Sequence, residues 1–304
     1  MRKFILKIII LLLIIVAIDQ IIGYAFSYAF DQIKIGGRGR DNYICNVTED
    51  DILVFGSSRA VHHYNTAILE DSTKMTCYNC GDNGCGIILS YGRLLMVKER
   101  CQPKLIIQDV NPDYDLLKGD NSKHLGWLKS RYEREGIKEI FDTVGSNEHI
   151  KMHCQMYRYN STFLQNLVTY LFSIGNSAGI KGYRPMDAEF DSMKVIKHPN
   201  IDEEKIEIDP IKLKYVEKFI KECEGTNVVF IASPIWYGMN PQKLAPIKNL
   251  CQKYNVPFID FSDNSKYVHC NKYFTDGVHL NMRGADEFTK DLIQELRKHN
   301  LIAE

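Results

Sequence analysis

Two serines and a distant histidine carry the means to attack a carbonyl. Ser57 and Ser58 close the stretch Asp51-Ile52-Leu53-Val54-Phe55-Gly56-Ser57-Ser58. A serine hydroxyl is a weak nucleophile until an imidazole takes its proton, and a carboxylate on the far ring nitrogen orients that imidazole. Asp276-Gly277-Val278-His279 supplies both groups near the C-terminus. A separation of three lets the carboxylate reach the same histidine's ring within one turn or tight loop, fixing its tautomer and stabilising the imidazolium. The chemistry on offer is acyl transfer through a serine ester. Taken singly, the residues have plainer uses. Ser58 and Asp276 can each cap a helix, and His279 can be a surface histidine.

Other residues nearby are ambiguous. Arg59 suits an anionic substrate group or a surface salt bridge. Trp236 and Tyr237, after the fourth apolar run, suit stacking on a sugar, covering an acyl pocket, or core packing. His62 and His63 are adjacent, do not face one another on a helix, and read as surface or rim. Asp113 and Asp115 have no spacing that singles them out as an acid pair.

The elements that position these groups follow from hydrophobic periodicity. Ile52 to Phe55 is a short, continuous apolar run, the pattern of a strand buried on both faces. It ends at Gly56, where a tight turn leads to the sheet edge at which open parallel sheets bind ligands. Similar runs span 75–80, 104–110, 227–232 and 257–261, and helical patterns span 87–100, 210–223, 241–254 and 282–298. This alternation predicts an α/β fold: a doubly wound, flavodoxin-like, five-stranded parallel sheet with helices on both faces. Between about 114 and 209 the alternation lapses. That length exceeds a plain crossover and reads as a helical insertion over the strand C-termini, with a charged piece (129–138), an apolar piece (163–174) and a polar piece (175–209).

At the N-terminus, Arg2, Lys3 and Lys7 precede an uncharged run from Ile8 to Ile18, and apolar character resumes from Ile21 to Phe30. With no small-x-small cleavage site, residues 1–30 read as an uncleaved anchor, spanning roughly 4–24 with Lys7 snorkelling and Asp19 near the far interface. The positive-inside rule puts the rest outside the cytoplasm, in the periplasm or at the cell surface. Residues 31–50 read as a polar linker, and 51–304 as the α/β domain. Lys+Arg 38 against Asp+Glu 38 leaves zero net charge, which removes the electrostatic case for nucleic acid. All nine cysteines follow the anchor. Cys77, Cys80 and Cys85 lack a fourth ligand for a metal, so buried thiols with one or two disulfides are expected. Asn46-Val47-Thr48 and Asn160-Ser161-Thr162 match the glycosylation sequon.

Phe55-Gly56-Ser57-Ser58, followed far downstream by Asp276-x-x-His279, resembles the SGNH/GDSL hydrolases, over about 51–298 apart from the insertion. The resemblance implies Ser58 as nucleophile, His279 as base and Asp276 as its orienter. Asn79-Cys80-Gly81-Asp82-Asn83-Gly84 is similar to the family's second block and implies an oxyanion N–H at Gly84, with Gly81 the less favoured choice. Asn111 stands near the third block's asparagine, although Gln108-Asp109-Val110-Asn111-Pro112 lacks the usual glycine and second acid. The implied oxyanion hole is the Ser58 and Gly84 N–H groups with the Asn111 side chain. The implied activity is that of a serine esterase or acyltransferase on a small acyl ester, acetyl by preference, of an envelope glycan, with no metal or organic cofactor. Two alternatives stand beside it: a non-catalytic envelope protein binding a glycan or an assembly partner, and a thiol protein using Cys77, Cys80 and Cys85.

Overall fold

The computed structural model describes residues 1–145, 147–160, 162–174, 179–191 and 206–303. Twelve α-helices and five strands are described. In chain order they are α1 (Arg2–Asp31), α2 (Gly36–Asn46), β1 (Ile52–Phe55), α3 (Ser58–His63), α4 (Thr66–Thr73), β2 (Cys77–Asn79), α5 (Ile87–Lys98), β3 (Leu105–Asp109) and α6 (Pro112–Asp115). Then come α7 (Ile137–Val144), α8 (Glu148–Lys151), α9 (Phe163–Phe172), α10 (Pro210–Glu222), β4 (Asn227–Ala232), α11 (Ala245–Lys253), β5 (Phe258–Asp260) and α12 (Met282–Lys298).

The sheet order is β2-β1-β3-β4-β5 and every pairing is parallel. The fold is therefore the expected doubly wound α/β sheet. β1 explains why its sequence is apolar throughout. Leu53 and Phe55 enter one core with residues of α2, α5, α10 and α11, whereas Ile52 and Val54 enter the opposite core with residues of α3, α4 and α12. A strand buried on both faces has no room for a polar residue. Truncating Phe55, at the centre of its core, would cost about 3–5 kcal/mol.

Local signals set several helix starts. Asp209 accepts from Ile211 N–H at 2.8 Å ahead of Pro210, and Asn281 accepts from Gly284 N–H at 2.9 Å to open α12. α5 starts at a glycine cap, and its Ile87 N–H donates instead to Asp115 of another segment at 2.6 Å.

Three expectations change. Residues 31–50 are not a linker, because α2 occupies most of them and is largely buried. Asn42 Nδ2 donates to the Phe30 and Ile33 carbonyls at 2.8 and 2.9 Å, tying α2 to the end of α1. Arg93 bridges Asp41 at 3.2 Å and Asp82 at 2.9 Å, and Arg40 donates to the Asn79 and Gly81 carbonyls. The polarity that suggested solvent is used in buried pairing. All nine cysteines are free, so no disulfide forms.

The insertion also divides its work. Residues 121–172 supply short helical pieces, several packed on α5 or against α1. Residues 179–191 run past the C-terminal sheet edge. Asn79 N–H donates to Lys181 O at 2.9 Å, Arg184 N–H to Val61 O at 3.0 Å, and Asp191 N–H to Thr275 O at 3.0 Å. Most of the polar piece, and Ser161 of the second sequon, lies outside the described residues.

α1 is 30 residues long and apolar enough to cross a membrane, and none of its most apolar window is buried against the protein. It is a candidate anchor.

Candidate active site

Gly56 makes the turn after β1 at φ +139°, where a Cβ would lie 2.8 Å from the Asp109 carbonyl oxygen. Only glycine fits so close an approach without displacing β3. The turn delivers Ser57 as the residue before α3 and Ser58 as its first residue, half-buried. From the other end of the chain, the loop between β5 and α12 brings in Asp276 and His279. Asp276 Oδ1 accepts the backbone N–H groups of Val278 and His279, both at 2.8 Å, which curls the loop around its carboxylate.

The two loops meet. His279 Nε2 lies 2.8 Å from Ser58 Oγ, and His279 Nδ1 lies 2.9 Å from Asp276 Oδ2. Nδ1 donates its proton to the carboxylate, which leaves Nε2 as an acceptor for the serine hydroxyl. Burial works to raise the Asp276 pKa. The bonds from the His279 ring and from the two backbone amides outweigh it and hold the carboxyl below its ordinary range.

Asn111 caps the short helix α6. Its Oδ1 accepts from Asp113 N–H at 3.3 Å and its Nδ2 donates to Ser57 Oγ at 3.2 Å, beside Ser58. Its backbone N–H donates to Asp115 Oδ2 at 2.6 Å. Asp115 thus holds Asn111 with one oxygen and the start of α5 with the other. Burial pushes its carboxyl up to about 7, against the pull of those two N–H bonds. Gly84 lies in a turn at φ +69° with open space around it, and the Gly81 N–H is engaged by Asn79 Oδ1 at 3.1 Å.

Several placements differ from the sequence reading. Arg59 is only 2% exposed: its guanidinium donates to the Val110 carbonyl and faces Asp109 across 3.7 Å. It is a buried counter-ion rather than a surface salt bridge, and it also lines the recess between the two loops. Trp236 is half-buried, stacked on Phe190 at 5.2 Å and edge-on to His269, with Nε1 donating to Asn271 Oδ1 at 2.8 Å. It buttresses the loop of Asp276. Tyr237 lines a small recess between the two loops whose apolar wall is Pro112, Ile235, Met239 and Val278 and whose polar wall includes Arg59, Asn111, Asp113 and Lys243.

His63 is the largest surprise. It is fully buried, not at the rim; Nδ1 pairs with Ser233 Oγ at 3.1 Å while Nε2 accepts from Leu280 N–H at 3.1 Å. Adjacent position in sequence carries no information about such tertiary partners. His62 Nδ1 donates to Arg184 O at 2.6 Å. Burial pushes His62 down to about 4 and His63 well below its ordinary value, so both stay neutral beside His279. A neutral pair adds no repulsion to an imidazolium forming there. Ser57 enters as the acceptor of the Asn111 amide, and Asp109 and Ser233 carry no local signal of their roles behind the site. Only Asn111-Pro112 carried a usable local signal, since asparagine before proline marks a helix cap and fixes the amide's orientation.

Among the described residues no cluster of metal-ligand type occurs. The thiol alternative loses ground: burial raises Cys77 well above its ordinary pKa, and Cys80 and Cys85 to about 12, the opposite of a reactive thiolate.

Neither a family model nor a curated protein matches the chain. Two solved structures align with it over most of its length. One is a proposed acylhydrolase from Bacteroides fragilis, 11% identical, covering 91% of this chain and 95% of that chain at a TM-score of 0.40. The other is a proposed platelet activating factor from Streptococcus pneumonia, 14% identical, covering 91% and 97% at a TM-score of 0.38.

Proposed function

We propose that the protein is a divergent SGNH-type serine esterase or O-acyltransferase, anchored by α1, with its α/β domain outside the cytoplasm. One observation carries the proposal: Ser58 Oγ, the His279 ring and the Asp276 carboxylate form a continuous hydrogen-bonded line with links of 2.8 and 2.9 Å. In the reaction, Ser58 Oγ attacks the ester carbonyl as His279 Nε2 takes its proton. The oxyanion is met by the Ser58 and Gly84 N–H groups and the Asn111 amide, which turns from Ser57. His279 then returns the proton to the departing alkoxide, and the acyl group rests on Ser58. A second hydroxyl, from water or a sugar, gives its proton to His279 and takes the acyl group, and as the acyl–Oγ bond breaks His279 Nε2 returns that proton to Ser58 Oγ. The apolar wall of the small recess, at Ile235, Met239 and Val278, suits a short acyl chain such as acetyl, and an envelope glycan is the proposed carrier. Asn111 Nδ2, engaged by Ser57 in the resting state, favours the rival reading of a non-catalytic glycan- or partner-binding protein.

Fluorophosphonate labelling of the full chain in detergent decides between them. Cutting near residue 31 would strip α2 of its Phe30 carbonyl and Asp31 partners, so the anchor is kept. Label on the wild type, absent in Ser58→Ala and His279→Ala, is the expected result. A folded wild type that takes no label sinks the enzymatic reading, and label surviving in Ser58→Ala sinks the choice of nucleophile.

A further inference from the structure

Surface helices of soluble proteins bury an apolar stripe and expose polar residues. α9 reverses this. Its buried positions are Asn166 and Thr169, while Leu164, Val168, Leu171 and Phe172 are between 44% and 72% exposed. Spaced i, i+4, i+7 and i+8, those four form one stripe along the helix.

α9 is packed on the anchor. The Phe163 ring lies 4.8 Å from Phe26 and 6.3 Å from Phe30, and Tyr159, just before α9, sits 5.9 and 5.6 Å from the same two rings. Farther up α1, Asp19 accepts from the Gln155 and Met156 N–H groups at 2.7 and 3.0 Å and from the Cys154 thiol at 3.2 Å. Gly23 is pressed so close to Gln155 that a Cβ would lie 2.1 Å from the Gln155 Cβ. The insertion thus clasps α1 from Asp19 onward.

Helix length then sets depth. At ~1.5 Å per residue, the unclasped part, residues 2–18, is about 25 Å long, short of the ~30 Å hydrocarbon core. Residues 4–24 reach about 31 Å by the same rise. The missing length has to come from the part of α1 that 154–163 already hold, so embedding α1 draws the insertion down to the headgroups.

We infer that α9 is a second membrane contact. It lies in the bilayer interface on the domain's side, with Leu164, Val168, Leu171 and Phe172 among the upper acyl chains. This rests on α1 being a membrane span. Lipid is favoured over a protein partner because α9 touches α1 at Phe26, level along the helix axis with Tyr24 and Tyr28, which are exposed on the opposite face; a bilayer that surrounds α1 at that depth also surrounds α9. Asp19 tolerates the interface because three donors already surround its carboxylate.

The test uses the full chain in phosphatidylcholine nanodiscs, with ordinary or brominated acyl chains. Phe172→Trp reports on α9 and Leu11→Trp on the anchor, each read against the parent emission of Trp127 and Trp236. Both added signals are expected to lose most of their intensity in brominated lipid and little to aqueous acrylamide. Leu11→Trp quenched by lipid with Phe172→Trp quenched only by acrylamide would place α9 in water and overturn the inference. A Phe172→Trp signal shielded from both quenchers would put a protein, or a second copy, on the stripe and overturn it equally. If Leu11→Trp itself escapes brominated lipid, the span fails and the inference falls with it.

Discussion

Asp276→Asn tests the proposed chemistry most sharply, because the loop leaves the new amide two orientations and both are damaging. With its oxygen where Oδ1 now sits, the amide keeps the Val278 and His279 N–H bonds, both 2.8 Å in the wild type. Its NH2 group then points at His279 Nδ1, which must give up its proton. The proton moves to Nε2, and the ring can no longer accept from Ser58. Flipping the amide restores the tautomer but sets its NH2 against two backbone donors. Each unmade bond of this kind costs about 1–3 kcal/mol, so the flipped form lies roughly 2–6 kcal/mol higher. At ~1.4 kcal/mol per decade, that traps the wrong tautomer by ~30-fold to ~20,000-fold. The expected result is a kcat/KM for p-nitrophenyl acetate reduced by ~10²- to ~10⁴-fold, with the fold intact. Nitrogen-15 spectra of His279 would show the proton on Nδ1 in the wild type and on Nε2 in the variant. An Asp276→Asn enzyme within ~10-fold of wild-type turnover would refute the tautomer reasoning.

Three further outcomes follow from the same geometry. Asn111→Ala removes the proposed oxyanion donor and should lower kcat by ~10²- to ~10³-fold with little change in KM, whereas Ser57→Ala, which frees that amide, should stay within a few-fold of wild type in the same steady-state assay. Asp115, with its carboxyl raised to about 7 from 3.8, keeps its proton in the fold after the unfolded chain has lost it. Stability is therefore full below about pH 4 and falls as pH rises towards 7, by ~1.4 kcal/mol per unit at most and roughly 4 kcal/mol in all; Asp115→Asn should flatten that slope in denaturant titrations. Arg59→Ala leaves Asp109 buried without its counter-ion and should destabilise by about 3–5 kcal/mol, read as a lower denaturation midpoint.

What could be read from sequence was what is local. β1 and β4 fall at the expected residues because short continuous apolar runs containing β-branched residues admit few alternatives. α12 also starts and stops where its periodicity places it, although Asn281 rather than Asp276 caps it. Asp276 and His279 could be paired on paper because three residues in one loop leave few geometries. What could not be read was tertiary. α2 looked like solvent-exposed linker because its arginines and aspartate find partners at Asp82, Arg93 and Arg131, which no window of neighbours contains. His63 looked like rim because its partners, Ser233 and Leu280, are 170 and 217 residues away. Arg59 looked available because nothing beside it announced that Asp109, on another strand, would hold it under the site.

The bonding of α2 changes what a membrane anchor does for the domain. On a flexible leash a domain samples a volume that grows with linker length and can tumble to meet its target at any angle. Here Asn42 fastens α2 to the Phe30 carbonyl of α1 and the Ile33 carbonyl just beyond it, and Arg40 fastens the same helix to the end of β2 and the loop that follows. Anchor and sheet therefore turn as one body. With α1 in a bilayer, Ser58 would ride at one height above the lipid, presented in one orientation. On that reading the molecule would be a gauge as well as a tether: groups carried at that height would be within reach, and identical groups nearer or farther would not.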